Sequence, residues 1–523
     1  MNKQKLHIWL PLLFSVAMSI GIFIGFKMRD NFPDESFFYH EKSNTVREVL
    51  SLIKNKYVDN INTKNLADTA IEAILSQLDP HSHYIPPAEL EDINNDIQGN
   101  FYGVGIEFEI YNDTLNVLNI IEDGPAEKAG LASGDQLISV NDKNVAGQKI
   151  EVDSMRKILR GNRGSALKLG ILRNNKKIAF NVSRDLVPVN SVDASFMIDS
   201  INGFIKINKF STQTYHDFMT ALTMLNKKGM KNLILDLRDN GGGVLDEAIE
   251  IADEFLEGDK MITYTEGKHA PKKEYRCRRQ GQFEKGKLYV LSNEGSASAS
   301  EVLMGALQDW DRATIIGSRS FGKGLVQEQF DLSDKGALRL TVARYYTPTG
   351  RSIQRSYQNG TKAYYDETEN NNYNEDSLHK SGKTFKSPSG KKLYAGGGIM
   401  PDLVTPLDSN NITEFFSDVY GKGILNHFAF EYAIMQKEKL KSFKTPNDFA
   451  TNFILSDNDW NLLLNDIQSN KIDIKMCTPS DKKMLLENAK YMIANMIWKK
   501  NGYYQTKAAD DKDIKKALEL VSK

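Results

Sequence analysis

Cysteine is nearly missing from this chain of 523 residues, which has only two. No Cys-x-x-Cys pair or metal-ligand spacing surrounds them, which argues against a zinc site. Cys277 and Cys477 read as two free thiols, with a single disulfide outside the cytoplasm as the alternative. An excess of one charge is missing too. Lysine plus arginine number 67 and aspartate plus glutamate 68, for a formal net charge of −1. That argues against a nucleic-acid partner. Long apolar runs are absent with one exception, Ile8–Phe26, whose only hydroxyl residues are Ser15 and Ser19. At 1.5 Å per residue the run spans roughly 28 Å, close to the hydrocarbon core of a bilayer. Ala17-Met18-Ser19 offers a signal-peptidase site, but the run continues past it to Phe26, so an uncleaved signal anchor is the preferred reading. Lys3 and Lys5 precede it and Lys27 and Arg29 follow, so charge orients it weakly. On either reading the bulk of the chain leaves the cytoplasm.

What is present, 40% hydrophobic and 26% charged residues, suits an ordinary globular protein of about three or four domains. Residues 41–80 carry helical periodicity (Val46, Val49, Leu50, Ile53; Leu66, Ala70, Ile71, Ile74, Leu75). Leu-Asp-Pro-His-Ser-His-Tyr (78–84) ends that segment. With no third ligand near, His81 and His83 read as surface or capping residues of a turn rather than metal ligands. Residues 101–185 read as short strands and two helices. Gly-Pro-Ala-Glu-Lys-Ala-Gly-Leu (124–131) followed by Gly-Asp-Gln-Leu-Ile (134–138) resembles a PDZ domain. Residues 203–345 alternate strands and helices, as an α/β layer does. Residues 356–390 are polar and read as a solvated insertion. Beyond 411 the chain turns helical, with Phe415, Phe416, Val419 and Tyr420 on one face and Leu485, Ala489, Met492 and Ile493 on another. No chemistry is visible there.

The chemistry is carried by a serine and a lysine. Ser298 lies in Gly-Ser-Ala-Ser-Ala-Ser-Glu (295–301), before an apolar helix bearing Val302, Leu303, Ala306 and Leu307. Lys323 lies in Ser-Phe-Gly-Lys-Gly (320–324). None of the eight histidines is in or near this stretch. A lysine whose pKa is lowered by burial can take a serine's proton. A helix N-terminus can stabilise the resulting oxyanion. Ser298-Ala-Ser-Glu301 is equally a capping box, and that segment alone does not decide between the two. Gly317–Lys323 mimics the start of a P-loop, but Gly324 stands where Ser or Thr is needed and a strand follows instead of a helix. On that strand Lys323, Leu325 and Gln327 share a face, so Gln327 can aim the amine while Leu325 excludes water. Arg-Asp-Asn-Gly-Gly-Gly (238–243) follows a buried strand. Its Gly242 N–H, with that of Ala299, is a provisional oxyanion hole. Asp236 and Asp239 read as structural.

These segments resemble, in order over roughly residues 41–406, the carboxy-terminal processing peptidases. The motifs are Leu-Asp-Pro-His-Ser, the PDZ elements, Leu-Asp-Leu-Arg-Asp-Asn-Gly-Gly-Gly, Ser-Ala-Ser-Ala-Ser-Glu, Phe-Gly-Lys-Gly-Leu-Val-Gln, Val-Ala-Arg-Tyr-Tyr-Thr-Pro-Thr-Gly-Arg-Ser-Ile-Gln and Gly-Gly-Gly-Ile-Met-Pro-Asp. The resemblance implies Ser298 as nucleophile, Lys323 as base and Gln327 as its support, with no metal or organic cofactor. It implies an α/β core of the crotonase/ClpP-like kind with an inserted PDZ domain, an N-terminal helical region and a C-terminal helical extension. The expected divisions are 1–30 (anchor), 31–95 (helical), 96–185 (PDZ), 186–410 (peptidase core, with the 356–390 insertion) and 411–523 (helical). The Gly103, Val104, Gly105, Ile106 loop would bind a peptide's terminal carboxylate, with the peptide's last side chain beside the helix bearing Met155 and Leu159. The chain departs from the family at Gly241, where proline is usual, which loosens the turn carrying Gly242. The expected protein is a serine endopeptidase anchored in a bacterial inner membrane and facing the periplasm, acting on proteins or peptides with exposed C-termini. A catalytically dead PDZ scaffold and a non-peptide hydrolase on a crotonase-like sheet are the competing readings.

Overall fold

The computed structural model describes residues 44–369, 383–405 and 412–522, together with Ser15, Val16, Met18 and Ile20. It divides into two compact units at Leu75. In the first unit, two helices lie where apolar spacing predicted them, α1 (Asn44–Lys56) and α2 (Thr63–Leu75), among the described residues from 44 onward. The Ile8–Phe26 run lies almost wholly outside the described residues. Among those described, no helix is long and apolar enough to cross a membrane.

The second unit opens with a departure from expectation. The histidine segment is more than a turn. It enters a strand, β1 (His83–Ile85), followed by α3 (Pro87–Gln98). Next, β2 (Asn100–Gly103) leads into the PDZ-like insert. The insert is a sheet of β3 (Ile106–Tyr111), β4 (Thr114–Ile120), β5 (Gln136–Val140), β6 (Lys143–Asn144), β7 (Ala166–Arg173) and β8 (Lys176–Ser183), with α4 (Pro125–Ala129) and α5 (Val152–Leu159). Gly130 closes α4 at φ 90, a conformation open to glycine at little cost. The chain leaves through β9 (Asp185–Pro188), which pairs antiparallel with β2. Entry and exit thus form one two-stranded ribbon. Within the insert, Met155 and Leu159 pack with Val104 into its own core.

The catalytic layer is a six-stranded sheet ordered β10 (Val192–Met197), β11 (Asn202–Ile207), β12 (Asn232–Asp236), β15 (Leu288–Ser292), β16 (Thr314–Gly317), β21 (Leu403–Val404), parallel from β11 onward. Between β11 and β12 runs α6 (Thr214–Lys227), and α7 (Leu245–Asp253) follows β12. After β15 comes α8 (Ala299–Asp309). The central strands are apolar because both faces are covered. Ile205, Leu235, Val290 and Ile315 join α6–α8 in one core, whereas Phe204, Ile234, Tyr289, Leu291 and Ile316 face the other way. A second sheet flanks the first. In it β18 (Ala337–Tyr346) pairs with β1, with β13 (Met261–Glu266), and with β17 (Leu325–Asp331); β14 (Lys273–Arg276) extends β13.

One further region differs from its sequence reading, while the tail is helical as expected. The polar stretch after 356 is not solvated throughout. It forms α9 (Thr361–Glu369), whose Tyr364 is 1% exposed, and it is followed past the undescribed residues by the hairpin β19 (Thr384–Lys386)–β20 (Lys392–Tyr394). The tail has its own core, built by α10 (Glu414–Gly421), α11 (Ile424–Met435), α12 (Pro446–Asn452), α13 (Asp457–Ser469) and α14 (Pro479–Ala508) around Phe415, Val419, Leu485, Ala489 and Ile493. Its end leaves that core. Ala508 and α15 (Lys512–Val521), through Ile514 and Ala517, cover the second face of the catalytic sheet. A sheet with two apolar faces needs two layers, and the tail supplies the second.

Candidate active site

Three loops leave the carboxyl ends of neighbouring parallel strands, the position where open α/β sheets hold their ligands. After β12 comes the turn 238–243, after β15 the segment 293–298, and after β16 the segment 318–324. Ser298 ends the second, immediately before α8, at φ 56 and ψ −114. Positive φ in a residue with a Cβ costs about 1–3 kcal/mol and persists only where the surroundings impose it.

Glu301 imposes much of it. Its carboxylate is fully buried and accepts four hydrogen bonds: from Ser298 N–H (2.8 Å), Lys323 N–H (2.9 Å), Gly322 N–H (2.7 Å) and the Ser320 hydroxyl (2.6 Å). One carboxylate therefore fastens the serine's turn to the lysine's loop. Burial raises its pKa, and the hydrogen bonds oppose that rise. On the opposite side, the buried Tyr345 hydroxyl reaches the carbonyl oxygens of both Ser298 (3.1 Å) and Lys323. Serine and lysine, well separated in sequence, are thus tied together at their N–H groups and again at their carbonyls.

Lys323 Nζ donates to Gln327 Oε1 at 3.1 Å, and Gln327 Nε2 donates to the His81 carbonyl. Because the amide's nitrogen end must donate, its oxygen end is left facing the amine. The expected geometric reason is not the one observed. Lys323 precedes β17 instead of lying on it, and a bulge between Val326 and Gln327 breaks the alternation. An extra residue in one strand re-aims the side chains after it. Burial first, then the Arg339 guanidinium, hold the Lys323 amine below 10.5. Gly324 N–H is held by Gln354 Oε1 at 2.7 Å. His81 is no surface histidine either. Its Nε2 lies 2.9 Å from the Tyr364 hydroxyl, and burial plus the Lys323 charge lower its pKa to about 4.

The oxyanion residues are placed less simply. Gly242, at φ 95, lies against the serine: a Cβ there would sit 2.8 Å from Ser298 Cβ and 2.9 Å from Ala299 N. Only glycine leaves that space open. Its N–H, however, donates to Asn240 Oδ1 at 2.9 Å, turned away from the expected role. Ala299 N–H stands between neighbours whose N–H groups are used, Ser298 on Glu301 and Ser300 on the Ala297 carbonyl. The Asn240 carbonyl accepts from Ala297 N–H (2.9 Å) and the Ser300 hydroxyl (2.9 Å), binding the glycine turn to the serine's loop. The Gly103–Ile106 loop lies in the insert, where the Val104 carbonyl accepts from Ala126 N–H (2.7 Å) and the Gly105 carbonyl from Ile121 N–H (3.1 Å). It leads into β3, which is an edge strand of its sheet.

The arrangement can do acyl-transfer chemistry: a hydroxyl at a helix start, a desolvated amine aimed by an amide, and backbone donors beside both. The sequence reading missed Tyr345, Asn240 and the His81–Tyr364 pair. It saw Glu301 only as a helix cap. The capping box was that residue's one local signal; its contacts to 320–323 are tertiary.

Residues 202–363 match the model of peptidase family S41, residues 103–183 that of the PDZ domain, and residues 415–499 that of a family of unknown function. A carboxy-terminal-processing protease of Bartonella bacilliformis is 36% identical over 315 residues, which cover 59% of this chain and 71% of that one. A probable CtpA-like serine protease of Staphylococcus epidermidis is 32% identical over 366 residues, 67% of this chain and 73% of the relative. Among solved structures, the photosystem II D1 C-terminal processing protease is similar at 29% identity, covering 60% of this chain and 84% of its own, with a TM-score of 0.36.

Proposed function

The chain belongs to the carboxy-terminal processing serine proteases of peptidase family S41, and from that premise we propose that Ser298 and Lys323 form its catalytic pair. The observation that carries the reading is the partly buried Lys323 amine, held on Gln327 while Glu301 and Tyr345 join its backbone to that of Ser298. The neutral amine takes the Ser298 hydroxyl proton as the oxygen attacks the scissile carbonyl. The ammonium then returns that proton to the leaving amine as the acyl-enzyme forms. Water, deprotonated by the same amine, attacks the ester and releases the acid. Ala299 N–H is the oxyanion donor that the geometry offers; Gly242 N–H joins it when released from Asn240. The PDZ domain takes the substrate's C-terminus. Its edge strand β3 can accept a peptide as an added strand, with the carboxylate at Gly103–Ile106.

The test is hydrolysis of a peptide by purified protein. Ser298→Ala and Lys323→Ala are expected to lose cleavage while unfolding at the wild-type temperature; wild-type turnover by Lys323→Ala would refute the pair. The proposal extends to location: Ile8–Phe26 stays in the membrane and residues beyond 30 face the periplasm. Protease added to spheroplasts, but not to intact cells, then digests the catalytic part. A mature N-terminus at Ile20 would instead mean a cleaved signal.

A further inference from the structure

The glycine turn beside Ser298 is fixed from two sides. Its inner side holds the serine's loop through Asn240, as described above. Its outer side is Arg238, and every polar group of Arg238 is engaged. The N–H donates to Asp236 Oδ1 at 2.9 Å, and the carbonyl accepts from the buried Lys206 ammonium. The guanidinium meets three carboxylates: Asp236 at 2.6 Å, Asp511 at 2.9 Å and Asp513 at 2.8 Å. Two of these belong to the tail, more than 270 positions away.

Both tail carboxylates are rigidly held. Asp511 caps α15, accepting from the N–H groups of Asp513 and Ile514. Asp513 accepts from the Thr405 hydroxyl at 2.5 Å. The helix they begin is clamped on the sheet by Ile514 and Ala517. At its far end Lys287 Nζ donates to the carbonyls of Leu520 (3.2 Å) and Val521 (3.0 Å). The residues they steady need it. Gly241, Gly242 and Gly243 have no side chains with which to fix themselves, and a glycine backbone has the widest freedom of all. Gly242 and Gly243 are pinned on one side by Phe210, whose N–H donates to the Gly242 carbonyl at 2.9 Å; behind the start of the turn a polar cavity lined by Arg238, Asp239, Asn293, Asp511 and Asp513 opens, so packing does not hold that end. Charge-assisted, bidentate bonds to a guanidinium are directional enough to replace packing.

We infer that Asp511 and Asp513 are positioning residues of the active site: through Arg238 they set the turn whose Asn240 carbonyl and Gly242 hold the loop of Ser298 in place. The tail is then a working part of the peptidase and not an appendage. This inference rests on the reading of Ser298 as nucleophile. It predicts that loosening the latch harms the transition state more than substrate binding.

The experiment uses the full chain with Asp511→Ser, which keeps a capping hydroxyl, combined with Asp513→Asn, which removes charge at nearly constant shape. The readouts are kcat and KM on a peptide substrate, affinity for a peptidyl boronate that forms a tetrahedral adduct on serine, and the unfolding temperature. Active sites are counted by end-point fluorophosphonate labelling. The expected result is a kcat per active site at least tenfold lower, KM within twofold, and boronate affinity reduced by the same factor as kcat. Asp513→Glu, which restores the charge, should recover most of the rate. Unchanged kcat per labelled site overturns the inference, as does a loss explained wholly by fewer labelled sites. If the double variant does not fold, Asp513→Asn alone, which keeps the cap and the tail's other ion pair, that of Asp511, decides by the same ratio, with about threefold expected and no change overturning it. Undiminished hydrolysis by Ser298→Ala is a separate outcome that would sink the nucleophile assignment and this inference with it.

Discussion

A lysine becomes a base only if folding removes its proton, and Lys323 is placed for that. Burial is the largest cause of its lowered pKa and the Arg339 charge adds to it. The sign has two consequences. The neutral, reactive amine appears at lower pH than in an ordinary lysine, so kcat/KM should rise with pH through the shifted value and then level off below 10.5. A pH–rate profile flat across that range would contradict the assignment. The second consequence is for stability. The folded state holds this proton less tightly than the unfolded chain, so between the folded pKa and 10.5 stability rises with pH. Lys323→Met should remove that rise and stabilise the protein at neutral pH, as measured by urea unfolding at several pH values. Glu301 and Tyr345 show why single residues could not be read completely. Glu301 was visible as a cap because its partner Ser298 is three positions away. Nothing local marks Tyr345, whose two acceptors belong to different loops.

At the level of elements, α8 carries the serine at one end and a buried ion pair at the other. Asp309 and Arg351 are both fully buried at the side chain, 2.7 Å apart, and Gln308 Oε1 accepts from the same guanidinium at 2.7 Å. This pair fastens the loop bearing Gln354, which in turn holds Gly324. Removing one partner leaves a charge buried without compensation, so Asp309→Ala should cost about 3–5 kcal/mol in denaturant unfolding. A change under about 1 kcal/mol would mean that the loop relaxes around the loss. The elements near the site were legible where burial dictates composition. Asn232–Asp236, Leu288–Ser292 and Ala299–Asp309 appear almost where apolar pattern put them. Two strands were not legible: Met261–Glu266 carries two threonines and a glutamate, and His83–Ile85 is three residues long. Such strands exist because β18 pairs with them, which no local pattern announces.

On the scale of the whole second unit, the insert touches the tail as well as the core. Tyr111, at the end of β3, stacks on His427 of α11 with centroids 3.2 Å apart, and Lys499 pairs with Glu122 at 2.6 Å. An insert that engages a substrate's end at β3 therefore does so beside an interface with the tail. If carboxylate capture governs entry to Ser298, a substrate with an amidated C-terminus, or one ending in Asp, should be cleaved several-fold more slowly. A ligand shifts such an equilibrium only by its differential affinity for the two arrangements. Equal rates for acid and amide would leave the insert a passive tether. The ribbon of β2 on β9 has a further consequence, for how the chain folds. The Val189 N–H donates to the Gly99 carbonyl at 2.9 Å, so both ends of the insert leave the core at one point. The entropy of closing that long loop is met at the ribbon and grows only as the logarithm of its length. The peptidase layer should then be nearly indifferent to what is threaded through the ribbon. Replacing residues 104–184 by a short glycine-serine turn should leave its cooperative unfolding in place, as followed by calorimetry.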